Sequence, residues 1–181
     1  QSDKSYIPMV AKNIKDYSNE IVPNGDDFCF IECSDRDIKP LIIKLLDKMR
    51  NKDIPDNKIQ VLTPMYKGEN GIINLNKVLQ NKFNPRTSRT KELEVGEITY
   101  RVGDKVLQLV NDIDNSVFNG DIGYIVDILS SRQSNSKRNE IHVDFDGTEP
   151  ASYGLSSTGD SLISEDVLGG QKRQHNFMLY S

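Results

Sequence analysis

The chain has 181 residues, 36% apolar and 28% charged, without Trp, which allows one ordinary domain or two small ones around a packed core. No apolar run approaches the roughly 18 residues needed to span a membrane and no signal-peptide core is visible, so a soluble, intracellular protein without a membrane partner is expected. The net charge of −4 argues against a general nucleic-acid binder, yet residues 66–105 hold eight Lys/Arg against five Asp/Glu, a basic stretch in an acidic chain. That stretch is either a backbone-binding face or a solvated loop.

In chain order, residues 5–17 read as a helix, with Ile7, Val10, Ile14 and Tyr17 at helical spacing and Pro8 in the tolerated first turn. After the polar loop IVPNGDD, the apolar run Phe28–Cys33 reads as a buried strand. On such a strand Cys29 and Cys33 lie roughly 13 Å apart, beyond disulfide reach, and two buried thiols are expected. With only His142 and His175 besides, no metal site is expected. The stripe Ile38, Leu41, Ile42, Leu45, Leu46 and Met49 predicts a second helix, capped by Asp35 or Asp37, with Pro40 in its first turn. IQVLTP predicts a second strand ended by Pro64, and Ile72, Leu75, Val78, Leu79 and Phe83 predict a third helix. Helices alternating with strands across short connections predict a parallel α/β sheet.

The pattern changes near residue 85. Asn84-Pro85 ends the helix, and a charged bridge leads into ITYR, KVLQLV, GYIVDIL and EIHVDFD, short alternating segments that predict a small antiparallel barrel. Residues 1–90, 91–150 and 151–181 form three parts, the last Ser/Gly-rich and unassigned.

The chain contains no G-x-x-x-x-G-K-[ST] phosphate loop, H-E-x-x-H, G-x-S-x-G or paired-Cys zinc pattern, so it is not expected to hydrolyse ATP on its own. What it does offer is a loop where a strand gives way to a helix. Thr63 and Pro64 end the predicted strand, and Tyr66 to Gly71 lead into the third helix. Lys67, backbone N–H groups and the helix dipole there suit a phosphate, and Tyr66 suits a base. The plain alternative is a strand-to-helix turn sharpened by glycines. Asn74 and Asn76 face either DNA or solvent. Arg101 and Lys105 bracket the Gly103-Asp104 turn within reach of phosphates. Phe118 and Asn119 sit in a turn at Gly120 and either touch a single strand or serve only the turn.

Two blocks carry a family resemblance. IQVLTPMYKGENGIINLNKVLQNKFNP resembles the L-[TA]-P-M-Y-[RK]-G-x-x-G, L-N-x-x-L-Q and N-P segment of RecD/TraA-type superfamily-1 DNA helicases. YRVGDKVLQLVNDIDNSVFNGDIGYIV resembles their F-R-x-G-D-K-V-[ML]-Q-x-x-N…V-[FY]-N-G-D-x-G-x-I. The resemblance implies part of the second RecA-like motor domain with an inserted SH3-like barrel, cut from the half that binds nucleotide. It implies a parent enzyme of the bacterial cytoplasm that hydrolyses ATP with Mg and moves 5′ to 3′ on single-stranded DNA in recombination or repair, as the exodeoxyribonuclease V alpha group does. The missing first RecA-like domain would be a partner. Gln1 stands at the glutamine of the family's R-Q motif and would touch nucleotide. Thr63, Pro64, Tyr66, Lys67, Asn76, Arg101, Lys105, Phe118 and Asn119 would meet DNA. The family's A-Y-A-x-T-x-H-K-S-Q-G-S-E segment has no counterpart in residues 151–181, and His175 does not match it. The competing function is a non-catalytic SH3-like interaction module on an α/β platform.

Overall fold

The computed structural model describes residues 5–17, 25–55, 58–96, 98–145, 150–155 and 177–179. Gln1 and His175, each singled out above, lie outside them. The chain divides into two compact units, Gln1–Pro40 and Leu41–Ser181.

In the first unit, α1 spans Ile7–Lys15, with a proline at its N-terminal end and Lys12 and Lys15 in its last turn. Its apolar stripe forms as expected, yet none of its residues is buried. The loop after it is pinned where Asp27 Oδ1 accepts the Tyr6 N–H at 3.1 Å. The Ser5 hydroxyl and that N–H hold the Asp27 carboxyl below its ordinary range.

Residues 28–34 depart from expectation. They form no strand and no ladder, Phe30 and Ile31 are exposed, and Cys29 and Cys33 are exposed free thiols rather than buried ones. The physical reason is the missing neighbour, because a parallel strand buries its faces only inside a ladder covered by helices. Residues 59–63 behave alike, with Leu62 81% exposed. Every strand pairing among the described residues is antiparallel, so the predicted parallel sheet is not formed by them. Both thiols should therefore react with a disulfide reagent such as Ellman's in the native protein, giving close to two equivalents without denaturant. Protection of either one would show that 28–34 is covered.

Helix α2 spans Asp35–Arg50. It starts early enough that Pro40 falls inside it instead of in its first turn, removing one backbone donor. In the second unit its C-terminal half meets α3 (Ile72–Phe83), where the Arg50 guanidinium stacks 4.1 Å over the Phe83 ring and Lys82 pairs with Asp47 at 3.3 Å.

The β structure begins with a hairpin of β1 (Glu92–Val95), formed in the stretch read from sequence as a charged bridge, and β2 (Ile98–Arg101), the expected strand ITYR. Next come β3 (Lys105–Gln108), β4 (Ile122–Leu129) and β5 (Asn139–Asp144), as the alternation predicted. Two further strands, β6 (Ala151–Leu155) and β7 (Phe177–Leu179), come from the tail that carried no readable pattern. They complete a five-stranded antiparallel half-barrel in the order β6-β5-β4-β3-β7. Its inner face (Val106, Ile125, Ile141, Val143, Tyr153) and the hairpin (Val95, Tyr100) bury one common core. Alternation places these residues on one face of each strand.

Candidate nucleic-acid interface

The region is built by α3 and β2. Leu75 and Leu79 of α3 are buried, and the polar residues beside them, Asn76 and Gln80, are buried as well. Gln80 and Asn84 reach into the turn between β2 and β3. Gln80 Nε2 donates to Asp104 Oδ2 at 2.6 Å and to the Thr99 carbonyl at 2.7 Å. Asn84 Nδ2 donates to Asp104 Oδ1 at 2.8 Å and to the Val102 carbonyl at 3.1 Å. The Arg101 N–H completes the cradle at 2.6 Å from Asp104 Oδ2. Asp104, 5% exposed, thus ties the helix to the β unit. Burial pushes its carboxyl above the ordinary range, outweighing the Asn84, Arg101 and Gln80 donors that pull it down.

Arg101 serves the same junction. Its side chain is buried, with Nε on Glu92 Oε2 at 3.0 Å and Nη1 shared between Asn81 Oδ1 and the Asn84 carbonyl, both at 3.1 Å. The sequence reading offered this guanidinium to phosphates, but most of its donors are engaged within the protein. Lys105 likewise donates from Nζ to the Ile59 carbonyl at 2.7 Å.

The strand-to-helix loop also differs from the phosphate cradle imagined for it. The first helical N–H groups turn onto the loop's own carbonyls, Ile72 N on Met65 O at 2.9 Å and Ile73 N on Tyr66 O at 3.4 Å. The Thr63 hydroxyl donates to Asn70 O at 2.9 Å, and Asn74 Nδ2 donates to Glu69 O at 2.8 Å. A side chain at Gly71 would place its Cβ 2.5 Å from Lys67 O, so the loop closes this tightly only around glycine. Pro64, Tyr66 and Lys67 remain on the exposed side of the loop.

Between this loop, α3 and β2 lies a cleft of about 180 Å³. Tyr66, Asn76, Asn81, Ile98, Thr99 and Arg101 are among its walls, and Lys77 lies at its lip. Three residues singled out from sequence, Tyr66, Asn76 and Arg101, therefore share one cavity. Thr63 supports the loop behind it. Phe118 and Asn119 are not in its lining. They belong to the β3–β4 loop, where Phe118 is 53% exposed and the Asn119 N–H is held by Asn111 Oδ1 at 2.8 Å. That loop has no Lys or Arg between Lys105 and Arg132, and it carries Asp112, Asp114 and Asp121. Its charge disfavours a phosphate chain. Sequence reasoning missed Asn81, Ile98 and Thr99, whose importance appears only when the hairpin packs against α3.

The matches to known proteins centre on this same junction. Residues 75–145 match the family described as the SH3 domain of ATP-dependent RecD-like DNA helicases. This segment is similar to the RecD-like helicases. An ATP-dependent RecD2 DNA helicase of Deinococcus radiodurans is 39% identical over 89 residues, 49% of this chain and 11% of that protein. The chain thus spans about a tenth of that relative's length. A crystal structure of Bacteroides Pif1 bound to ssDNA has a TM-score of 0.36 and 16% identity, covering 78% of this chain and 38% of its own. Another, of Pif1 from Bacteroides with ADP-AlF3 and ssDNA, has a TM-score of 0.31 and 16% identity, covering 71% and 33%. Within the RecD-like segment, the clasp unites the family-type residues Gln80, Asn84, Arg101, Gly103 and Asp104.

The residues at hand do not fit a nucleotide or its Mg ion. No group of three His, Cys, Asp or Glu among the described residues is arranged to hold a metal, and no phosphate loop occurs in the sequence. Among the described residues, no helix is long and apolar enough to cross a membrane.

Proposed function

We propose that this RecD-like chain supplies part of the single-stranded DNA track of an ATP-dependent helicase, and that the cleft between the 66–77 segment and β2 is where the strand passes. The observation that carries this reading is the meeting of an exposed aromatic, Tyr66, with an amide-lined cavity that Lys77 also lines, the exposed Lys67 following Tyr66 in the chain. A sugar–phosphate chain bearing stacked bases asks for that combination of ring and positive charge.

On this reading, residues 1–90 belong to the second RecA-like domain, 91–150 to an SH3-like insertion, and 151–181 add the outer strands of the insertion. Segments 28–33 and 59–63 would gain their ladder partners from the rest of a longer chain. That chain would bring the first RecA-like domain, the ATP site with its Mg ion, and the coupling that drives 5′ to 3′ movement during DNA repair in the bacterial cytoplasm. Gln1 would lie at the nucleotide edge of that assembly. Thr63 and Pro64 shape the loop, while Arg101 and Lys105 act on the track from within the fold.

Titration of a fluorescent oligo-dT with this chain tests the reading. Binding is expected to weaken with salt, Tyr66→Ala to weaken it about tenfold, and Lys67→Ala to reduce the salt slope by about one. Absence of binding even at low ionic strength would favour a non-catalytic interaction module instead.

A further inference from the structure

We infer that the cleft between α3 and β2 accepts a single unstacked nucleobase edge-on, so that this face grips the strand by a base as well as by its backbone. The inference rests on the proposed single-stranded DNA track and adds to it the group that enters the protein. At about 180 Å³ the cleft falls below the roughly 300 Å³ where sites for drug-sized ligands begin. It has room for one flat ring.

The lining suits that ring. Ile72, Ile73 and Ile98 offer apolar surface to the faces of a base, while Asn81 and Thr99 offer an amide and a hydroxyl to its edge. An amide NH2 suits an acceptor on a base edge, a ring nitrogen or a carbonyl oxygen. Asn81 is exposed, and its carbonyl oxygen is taken by the Arg101 guanidinium, which orients the amide and leaves its NH2 end as the donor for a ligand. Arg101 is in turn locked by Glu92 and by the Asn84 carbonyl, so the reading amide is set by the fold before any ligand arrives. Tyr66 at the mouth is 56% exposed and positioned to stack on the next base outside. An apolar peptide side chain would use the apolar walls but leave the Asn81 donor unanswered.

Abasic scanning checks the inference. The 181-residue chain is titrated with a short oligo-dA and with a series in which one nucleotide at a time lacks its base. One or two positions should bind about tenfold more weakly when abasic, the rest little changed. Thr99→Phe, which fills the cleft, and Asn81→Ala, which removes the donor, should each weaken binding of the intact strand and flatten the scan. Asn81 lies on the exposed side of α3, so its variant reports even if Thr99→Phe disturbs folding, which circular dichroism monitors. A scan that is flat for the unaltered protein, or one whose weak positions survive both substitutions, overturns the base pocket while leaving the DNA track standing. Failure to bind any oligonucleotide overturns the track itself.

Discussion

Replacing Asp104 by alanine is expected to destabilise the protein by about 3 kcal/mol, because it removes the acceptor shared by three buried donors. Gln80 Nε2, Asn84 Nδ2 and the Arg101 N–H all converge on this one carboxylate. Two of them keep a second acceptor, at Thr99 O and Val102 O, which moderates the loss. Asp104→Asn should cost less but not nothing, since its NH2 must face one of two amide donors. The loss is read from the denaturant midpoint at neutral pH.

The pH dependence carries a sign that identifies the group. The Asp104 carboxyl titrates higher in the folded protein than its ordinary value near 3.8, so the native state holds the proton more firmly than the unfolded chain does. Its contribution is fully present below that ordinary value and is lost as pH rises through the folded one. Glu140 acts in the opposite sense. The Ser134 and Ser136 hydroxyls, and then His142, hold its carboxyl low, so its contribution is lost as pH falls. The stability of the unaltered protein minus that of Asp104→Asn cancels the Glu140 term. That difference should decline with rising pH from about 4 upward. A flat difference would mean that Asp104 is not buried as described.

The second large effect is expected at Gly123, in the central strand β4. A Cβ there would lie 2.7 Å from the Asp144 carbonyl oxygen, 2.7 Å from Val143 Cγ1 and 2.8 Å from Phe145 Cδ1. The first of these is backbone of the paired strand and cannot turn aside. Gly123→Ala should cost about 3 kcal/mol through overpacking and separation of β4 from β5. Gly120→Ala is the control. Its φ of 101° strains any other residue, but nothing lies within 4 Å of the new Cβ, so a loss of about 1 kcal/mol is expected. Equal losses at the two positions in urea unfolding would refute the close contact at Gly123.

The loss of Asp104 also bears on function, through the junction of α3 with the hairpin. A loosened clasp frees α3 from the hairpin, and the cleft wall formed by Ile98, Thr99 and Arg101 separates from the wall formed by Asn76 and Asn81. DNA binding should therefore fall in Asp104→Ala even under conditions where the protein remains folded.

What the sequence alone determined was local. The stripes from Ile38 to Met49 and from Ile72 to Phe83 specify helices because every third or fourth residue must face the same way. The alternation in KVLQ, GYIVDIL and NEIHVD specifies strands for the corresponding reason. The two motif blocks carried the family resemblance. Tertiary structure decided what depends on distant neighbours. Residues 28–33 look like a buried strand but have no ladder here, and the three residues of β7 pair with β3 from some seventy positions away. Arg101, a cation suited to phosphate by its residue type, is instead held by Glu92 and α3. Burial and hydrogen-bond partners are supplied by chain that periodicity does not see, and they assign each polar side chain its role.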